Sequence, residues 1–100
     1  MFARVTTSQA QPDLSPEDRD RMTDFILEQL IPAVRRMDGF KGGYWLGDPK
    51  SGKGLTFTLW ESEEAERASQ AASSQLRQQA ASALSAEIKG VEVYEVLAHI

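Results

Sequence analysis

The chain has 100 residues, with 15 acidic and 11 basic side chains and a net charge of −4, and this length fits a single domain over residues 1–100. The acidic balance disfavours nucleic-acid binding, and the absence of cysteine excludes disulfides, thiolate metal sites and a cysteine nucleophile. The first residues lack the basic and apolar regions of a signal peptide, and no apolar run is long enough to span a bilayer. We therefore expect a soluble cytoplasmic protein with no membrane partner.

The first third of the chain predicts a strand and then a helix. Residues Phe2–Thr7 are β-branched and partly alternating, which favours a strand. Ser15 and Pro16, followed by acidic residues, are typical of a helix start. The apolar positions with helical spacing are Met22, Phe25, Ile26, Leu30, Val34 and Met37. Pro32 predicts a kink or a new helical segment, because it lacks an N–H and its ring clashes with the preceding turn. Gly39 suits a left-handed cap at the helix end.

A β-hairpin is predicted next, with strands at Phe40–Leu46 and Leu55–Trp60 and a connection at Gly47–Gly54. In its second strand the side chains of Leu55, Phe57 and Leu59 alternate with those of Thr56, Thr58 and Trp60. The leucine and phenylalanine face is predicted to be core, and the other face has intermediate character. The connection approaches a P-loop in sequence, but it lacks the metal-binding hydroxyl and precedes a strand, so we interpret it as a turn.

A second helix and a last strand complete the prediction. The helix begins at Ser62, the Ser73-Ser74 pair is expected to weaken it, and Gly90 ends it. Its predicted stripe is Ala65, Ala68, Ala72, Leu76, Ala80, Leu84 and Ile88. The last strand, Val91–Ile100, has apolar groups on both faces, with Val91, Val93, Leu97 and His99 on one and Tyr94, Val96, Ala98 and Ile100 on the other. Such a strand is expected to be covered on both sides, which predicts a dimer.

Few side chains suggest chemistry. His99 is the only histidine and has no paired ligand at metal-binding spacing, so a residue at a strand end is the simpler interpretation and a proton-transfer role the alternative. The aromatic set Tyr44, Trp45, Trp60 and Tyr94 suits a pocket for an aromatic ligand and a subunit interface equally well.

The order strand–helix–strand–strand–helix–strand predicts an α+β, ferredoxin-like βαββαβ fold with an antiparallel sheet. The segments Ile31–Gly42 and Leu59–Ala65 carry a resemblance to known proteins. With them, nearly the whole chain resembles the dimeric α+β barrel superfamily, in particular antibiotic-biosynthesis-monooxygenase-like (ABM-like) domains. The resemblance implies a homodimer in which two sheets pack face to face as a barrel, with a ligand cleft between the sheet and helices of each subunit.

The resemblance also implies a choice of functions. Its haem-degrading branch uses an Asn on the first strand and a His on the second helix, and this chain has no asparagine and no histidine between Glu61 and Lys89. Cofactor-free oxygenation of a phenol instead needs a base or an anion stabiliser, for which Arg4, Tyr44, Trp60 and His99 are the candidates.

We expect a homodimer that binds a small aromatic metabolite, without a metal or cofactor, and cofactor-independent monooxygenase activity is one interpretation. The predicted catalytic residues are Arg4, Trp60 and His99. A non-catalytic dimeric ligand-binding module is the alternative. An RNA-binding domain is a remote one, because the segment Lys53–Phe57 is similar to an RNA-recognition strand but has Leu55 in place of an aromatic ring.

Overall fold

A four-stranded antiparallel sheet with helices on one side organises the computed structural model, which describes residues Met1–Ile100. The elements are β1 (Phe2–Gln9), α1 (Pro16–Phe25), a π-helical turn (Ile26–Leu30), α2 (Ile31–Arg35), β2 (Phe40–Gly47), β3 (Lys53–Trp60), α3 (Glu63–Ala68), α4 (Gln70–Ala83) and β4 (Glu87–Glu95). The strand order is β2-β3-β1-β4 with antiparallel pairing throughout. The predicted ferredoxin-like α+β fold is confirmed. None of the helices has the length and apolar character needed to cross a bilayer.

Both helical regions begin where side-chain capping was predicted. The Ser15 hydroxyl accepts a hydrogen bond from the Asp18 N–H at 3.0 Å, and the Asp18 carboxylate accepts one from the Ser15 N–H at 3.3 Å. This reciprocal pair satisfies two N–H groups that a helix end otherwise leaves without partners. The same hydrogen bonds hold the pKa of Asp18 below its usual value. Ser62 caps α3 with a single hydrogen bond, which its hydroxyl accepts from the Ala65 N–H at 3.1 Å.

The π-helical turn explains how the first helical region keeps one apolar face. Met22, Ile26, Leu30 and Val34 are spaced by four residues, and each such step overshoots an α-helical turn by about 40°. Three steps would therefore carry Val34 about 120° away from Met22 in a regular α-helix. The wider π-turn, closed by the Ile31 N–H donating to the Ile26 carbonyl, brings these side chains back to one face. The predicted new segment, α2, follows it directly, beginning at Ile31 with Pro32 in its first turn.

The predicted role of Gly39 is wrong, although its backbone is left-handed with φ of +79°. The helix ends at Arg35, four residues earlier, and Arg36 is its C-terminal cap. Gly39 lies instead where the chain enters β2 beside α3, and a Cβ there would come within 2.5 Å of the Ala65 Cβ. Close approach to α3, rather than helix capping, requires glycine at this position.

The second helical region differs from the prediction at its break and at its end. The break lies at Ser69, between α3 and α4, and not at Ser73-Ser74. The Ser69 hydroxyl donates to the Glu66 carbonyl at 2.7 Å, so it competes with the backbone for that acceptor. The helix ends at Ala83, and Gly90 lies inside β4 rather than at a helix end.

The predicted last strand, Val91–Ile100, is shifted. β4 spans Glu87–Glu95 because its partner β1 offers pairing only from Gln9, opposite Glu87, to Phe2, opposite Glu95. Residues 96–100 lie beyond it, so His99 is not on a strand. In the single chain β4 is an edge strand, and the side chains of Val91 and Val93 are each 41% exposed.

The two faces of the sheet are the reverse of the prediction for β3. Thr58 and Trp60 are buried beneath the helices, whereas Leu55, Phe57 and Leu59 lie on the open face and are only half-buried. The core-face prediction is therefore wrong. The fully packed region contains three apolar residues, Leu30, Val34 and Trp60. Its buried polar residues are Arg4, Thr6, Thr58, Glu66, Ser69 and Ser73. Polar side chains occupy the covered face because they are hydrogen-bonded there, and no buried side-chain N or O lacks a partner.

Candidate functional site

A cleft of about 340 Å³ lies between the covered face of the sheet and the helices. The sheet contributes mainly polar and aromatic side chains to it, among them Arg4, Thr6, Thr56 and Trp45. The opposite wall is apolar and comes from the first helical region and α4. Its large residues are Met22, Ile26, Leu30, Val34, Leu76 and Leu84. A cavity with an apolar wall and a few polar groups is typical of a small-molecule site.

The mouth of the cleft is formed by two loops that hydrogen-bond to each other. The Ala10 N–H donates to the Gly52 carbonyl at 2.8 Å, and the Leu14 N–H donates to the Pro49 carbonyl at 2.9 Å. Asp48 accepts hydrogen bonds from the Lys50 N–H and the Ser51 hydroxyl, each at 3.0 Å, which lowers its pKa. The P-loop-like segment is thus a hairpin turn, as predicted, and it leads into β3 rather than into a helix.

A buried ion pair lies at the inner end of the cleft. The Arg4 Nε and Nη2 donate to Glu66 Oε2 at 3.0 and 2.7 Å, and both side chains are almost fully buried. Nη2 also donates to the Glu66 carbonyl at 3.0 Å and to the Ser69 hydroxyl at 2.7 Å. Nη1 makes no hydrogen bond to the protein, and Arg4 is one of the residues that line the cleft. Arg4 therefore combines a fixed position with one free donor group.

Trp60 supports this arginine. Its side chain is fully buried, and its indole Nε1 donates to the Thr58 hydroxyl at 3.1 Å. The guanidinium carbon of Arg4 lies 5.0 Å from the centre of the indole, within the range of a cation–π contact. Phe40 packs against the same indole edge-to-face, with ring centres 5.6 Å apart. Trp60 is thus a rigid platform under Arg4.

Arg77, on α4, also lines the cleft and was missed as a site residue from the sequence. It makes no hydrogen bond or salt bridge with another side chain. Burial lowers the pKa of its guanidinium, the positive charge of Arg4 lowers it further, and Glu66 partly opposes this. The sequence signal was weak: Arg77 is the one charged residue between Ser69 and Ala86, a stretch of mostly Ser, Gln and Ala.

The other residues predicted for the site lie in different places. Trp45 lines the cleft together with Arg4 and Trp60. Tyr44 is 68% exposed on the open face, opposite Phe57 of β3. Tyr94 also lies on the open face, where its hydroxyl donates to Glu92 at 2.6 Å. His99 is exposed in the segment after β4 and does not line the cleft.

The fold, but not the sequence, has clear counterparts among known proteins. No family model matches the chain, and no curated protein is a significant sequence match. A crystal structure from Deinococcus radiodurans, assigned as an antibiotic biosynthesis monooxygenase, superposes with a TM-score of 0.70 at 19% identity, covering 100% of this chain and 96% of that one. A monooxygenase from the ActVA-Orf6 gene of Streptomyces coelicolor, in complex with nanaomycin D, gives 0.71 at 20% identity, covering 99% and 89%.

A third structure is a variant of MhuD with two manganese protoporphyrin IX molecules in each active site. Its TM-score is 0.62 at 21% identity, and the match covers 100% of this chain and 98% of that one. At these identities the likeness concerns the fold. The chain has the ABM-like α+β fold that its sequence predicted.

The residues of this cleft do not fit a haem. Proteins hold haem iron through His, Cys, Tyr or Met, and of these types only Met22 lines the cleft. Met22 lies in the apolar wall with Ile26 and Leu30. No group of three or more His, Cys, Asp or Glu side chains is placed to hold another metal ion.

Proposed function

We propose that the cleft binds a small aromatic metabolite in its deprotonated form, and that the protein oxygenates it without a cofactor. The observation that carries this proposal is the pairing of an apolar wall with the unpaired guanidinium of Arg77 in one cavity. An aromatic ring suits the wall, and an oxyanion on that ring suits the arginine. The likeness to a monooxygenase crystallised with nanaomycin D supports the choice of an oxygenase and of an aromatic ligand.

The reaction balances without an external reductant. A bound phenol loses its proton, and the resulting phenolate is electron-rich enough to transfer electrons to dioxygen. One oxygen atom then forms a carbon–oxygen bond on the ring, two hydrogens leave the substrate, and the second oxygen atom leaves as water. The product is a quinone.

The side chains in the cleft would stabilise the negative charge of the ligand rather than serve as a strong base. Glu66 is committed to Arg4, and the pKa of Asp48 at the mouth is lowered, which makes that carboxylate a weak base. Arg77 and the free Nη1 of Arg4 would stabilise the phenolate and so lower the pKa of the bound phenol. Of the predicted residues, this proposal keeps Arg4, Trp60 and Trp45.

The open face of the sheet supports a homodimer. It carries the half-buried Leu55, Phe57 and Leu59 and the exposed Tyr44 and Tyr94, an apolar surface that a single chain leaves in water. Packing this face against a second copy would build the α+β barrel that the resemblance implies. The same aromatic residues would contact bases in the remote RNA-binding alternative. The cytoplasmic location stays a prediction from the sequence.

A specific observation favours a second candidate, a non-catalytic ligand-binding dimer. The cleft contains no histidine and no free carboxylate in its interior, so a general base would have to be solvent. Such a protein would bind the aromatic anion and leave it unchanged.

Oxygen uptake with hydroxylated naphthalenes and anthracenes distinguishes the two candidates. An oxygenase is expected to consume one dioxygen per substrate, and Arg77→Gln or Trp60→Phe should each slow turnover at least tenfold. His99→Ala, outside the cleft, is the matched control and should leave the rate unchanged. Ligand-dependent melting without oxygen uptake would favour the binding module. The proposal would be overturned if no member of the series produced a melting shift or oxygen uptake.

A further inference from the structure

The two arginines of the cleft differ in what balances their charge. Arg4 makes four hydrogen bonds, three to Glu66 and one to Ser69. Its positive charge is therefore balanced within the protein. Arg77 has no carboxylate partner, so two guanidinium groups line the cleft, and the carboxylate of Glu66, which is buried beside Arg4, balances only one of them.

Glu66 is held firmly in its place. Only 1% of the residue is exposed, its Oε2 accepts both bonds from Arg4, and its Oε1 accepts one from the Gln70 amide at 3.1 Å. Both carboxylate oxygens are thus engaged. A ligand anion that approached Arg4 could not displace Glu66 without leaving a buried carboxylate unpaired, which is strongly unfavourable.

Arg77 creates the opposite situation. A half-buried cation beside an apolar wall is unfavourable until an anion pairs with it. One negative charge on a ligand satisfies this need. A second negative charge would find no second half-buried cation to pair with, because Glu66 already neutralises Arg4.

We propose that Glu66 is an internal counter-ion that restricts the cleft to aromatic ligands with a single negative charge. It neutralises Arg4 and leaves Arg77 as the half-buried uncompensated cation for the oxyanion of the ligand. The other lining cations, Arg19 and Lys53, are exposed to solvent. Glu66 is therefore a specificity-determining residue that acts through Arg4. This inference rests on the proposed function, because it assumes that the cleft is a ligand site.

A matched series of three probes tests the charge preference: 2-naphthalenemethanol, which is neutral, 2-naphthoate, which carries one charge, and 2,6-naphthalenedicarboxylate, which carries two. Both acids are fully ionised at about pH 8. Binding is measured by calorimetry and by the change in tryptophan fluorescence. We expect 2-naphthoate to bind the natural protein roughly tenfold more tightly than either of the other two probes.

Three variants change the charge of the cleft in defined steps. Arg77→Gln removes the free cation, so the preference for 2-naphthoate over the neutral probe should disappear. Glu66→Gln adds one uncompensated positive charge, so the dicarboxylate should gain roughly tenfold relative to 2-naphthoate. If that variant does not fold, the double variant Arg4→Met with Glu66→Met serves instead. It removes a neutral pair, and the order of the three probes should be retained even if all three bind less tightly.

The failure of this inference is distinguishable from the failure of the proposed function. Equal binding of all three naphthalenes to the natural protein would overturn the charge selection and leave the aromatic site in place. An unchanged order of affinities in Arg77→Gln would do the same. An unchanged ratio between the affinities for the dicarboxylate and 2-naphthoate in Glu66→Gln would overturn the role of Glu66. Absence of binding by every probe would overturn the proposed function, and this inference with it.

Discussion

The two faces of the sheet differ in the polarity of their side chains. The face covered by helices is mainly polar and the open face is mainly apolar, the reverse of what is expected. The face beneath the helices presents Arg4, Thr6 and Thr58, whereas the face turned to solvent presents Leu55, Phe57 and Leu59. In most small α+β proteins the helices cover the apolar face, since burial of apolar area drives folding.

The two faces of this sheet therefore have different functions. The covered face contributes little area to direct packing and encloses a cleft in which Arg4 is paired with Glu66 and Arg77 is left unpaired. The open face holds apolar area that the single chain does not bury, which suits a partner surface.

The largest effect is expected from breaking the buried ion pair on the covered face. Glu66→Leu leaves the Arg4 charge unpaired and should lower the free energy of unfolding by about 3–5 kcal/mol. The double variant Arg4→Leu with Glu66→Leu removes both charges and should recover most of that loss. Urea denaturation measures both variants. A loss in the single variant no larger than in the double one would contradict the view that polar pairing organises this face.

The open face is tested by a charge at its centre. Phe57→Glu should convert a dimer into a monomer in sedimentation velocity, because a carboxylate would be buried between two apolar sheets. Leu27→Glu is the matched control, since Leu27 is 57% exposed on the helical turn away from the sheet and should not affect assembly. A natural protein that sediments as a monomer at micromolar concentration would refute the dimer and leave the open face without an explanation.

A smaller effect is expected at the mouth of the cleft. Gly52 has φ of +80°, and a Cβ at this position would collide with the Ala10 carbonyl. Gly52→Ala should therefore cost about 1–3 kcal/mol of unfolding free energy. Gly47→Ala is the control on the same turn, because nothing lies within 4 Å of its Cβ position. Equal melting temperatures for the two variants would show that the contact between the two loops is unimportant for stability.

The smallest effect concerns Tyr94 on the open face. Its hydrogen bond to Glu92 raises the pKa of the phenol above its usual 10.0. A raised native pKa means that this contribution to stability is present below pH 10.0 and is lost as the pH rises through the native pKa. The ultraviolet titration curve of the Tyr94→Phe variant is subtracted from that of the natural protein, which leaves the titration of this phenol. Glu92→Gln should lower the pKa of Tyr94. An equal Tyr94 pKa in the natural protein and in Glu92→Gln would contradict the assignment.

The parts of the fold that were predicted correctly depend on short-range physics. Ser15 with Pro16, and Ser62 with its acidic neighbours, specify helix starts within a single turn of chain. Pro32 likewise predicted a new segment, because it lacks an N–H to bond to the preceding turn. The order of elements then followed, and with it the ferredoxin-like sheet.

The incorrect predictions concern features for which the local sequence allows two or more structures equally well, such as the buried face of a strand or the position of a helix break. Alternation along Leu55–Trp60 separates two sheet faces but does not say which one meets the helices. Serine is as able to interrupt a helix at Ser73 as at Ser69, and the interruption lies at Ser69 because Arg4 and the Glu66 carbonyl bind its hydroxyl there. The end of β4 depends on the length of β1, more than 80 residues earlier in the chain.

The candidate site was predicted only in part for the same reason. Arg4, Trp45 and Trp60 lie in the cleft, but Arg77 could be recognised only once α4 was placed over the sheet. Neighbouring residues on a strand point to opposite faces, so Tyr44 and Trp45 lie on different sides of the sheet although both are aromatic.

Local sequence specifies the kinds of elements, their order and most of their starts, since caps, prolines and turns act over a few residues. Which face of the sheet forms the cleft, and which charged residues pair there, depends on how the helices pack on the sheet. Arg4 and Glu66 are 62 residues apart, and their pairing is a consequence of packing α3 against β1 rather than of any local pattern.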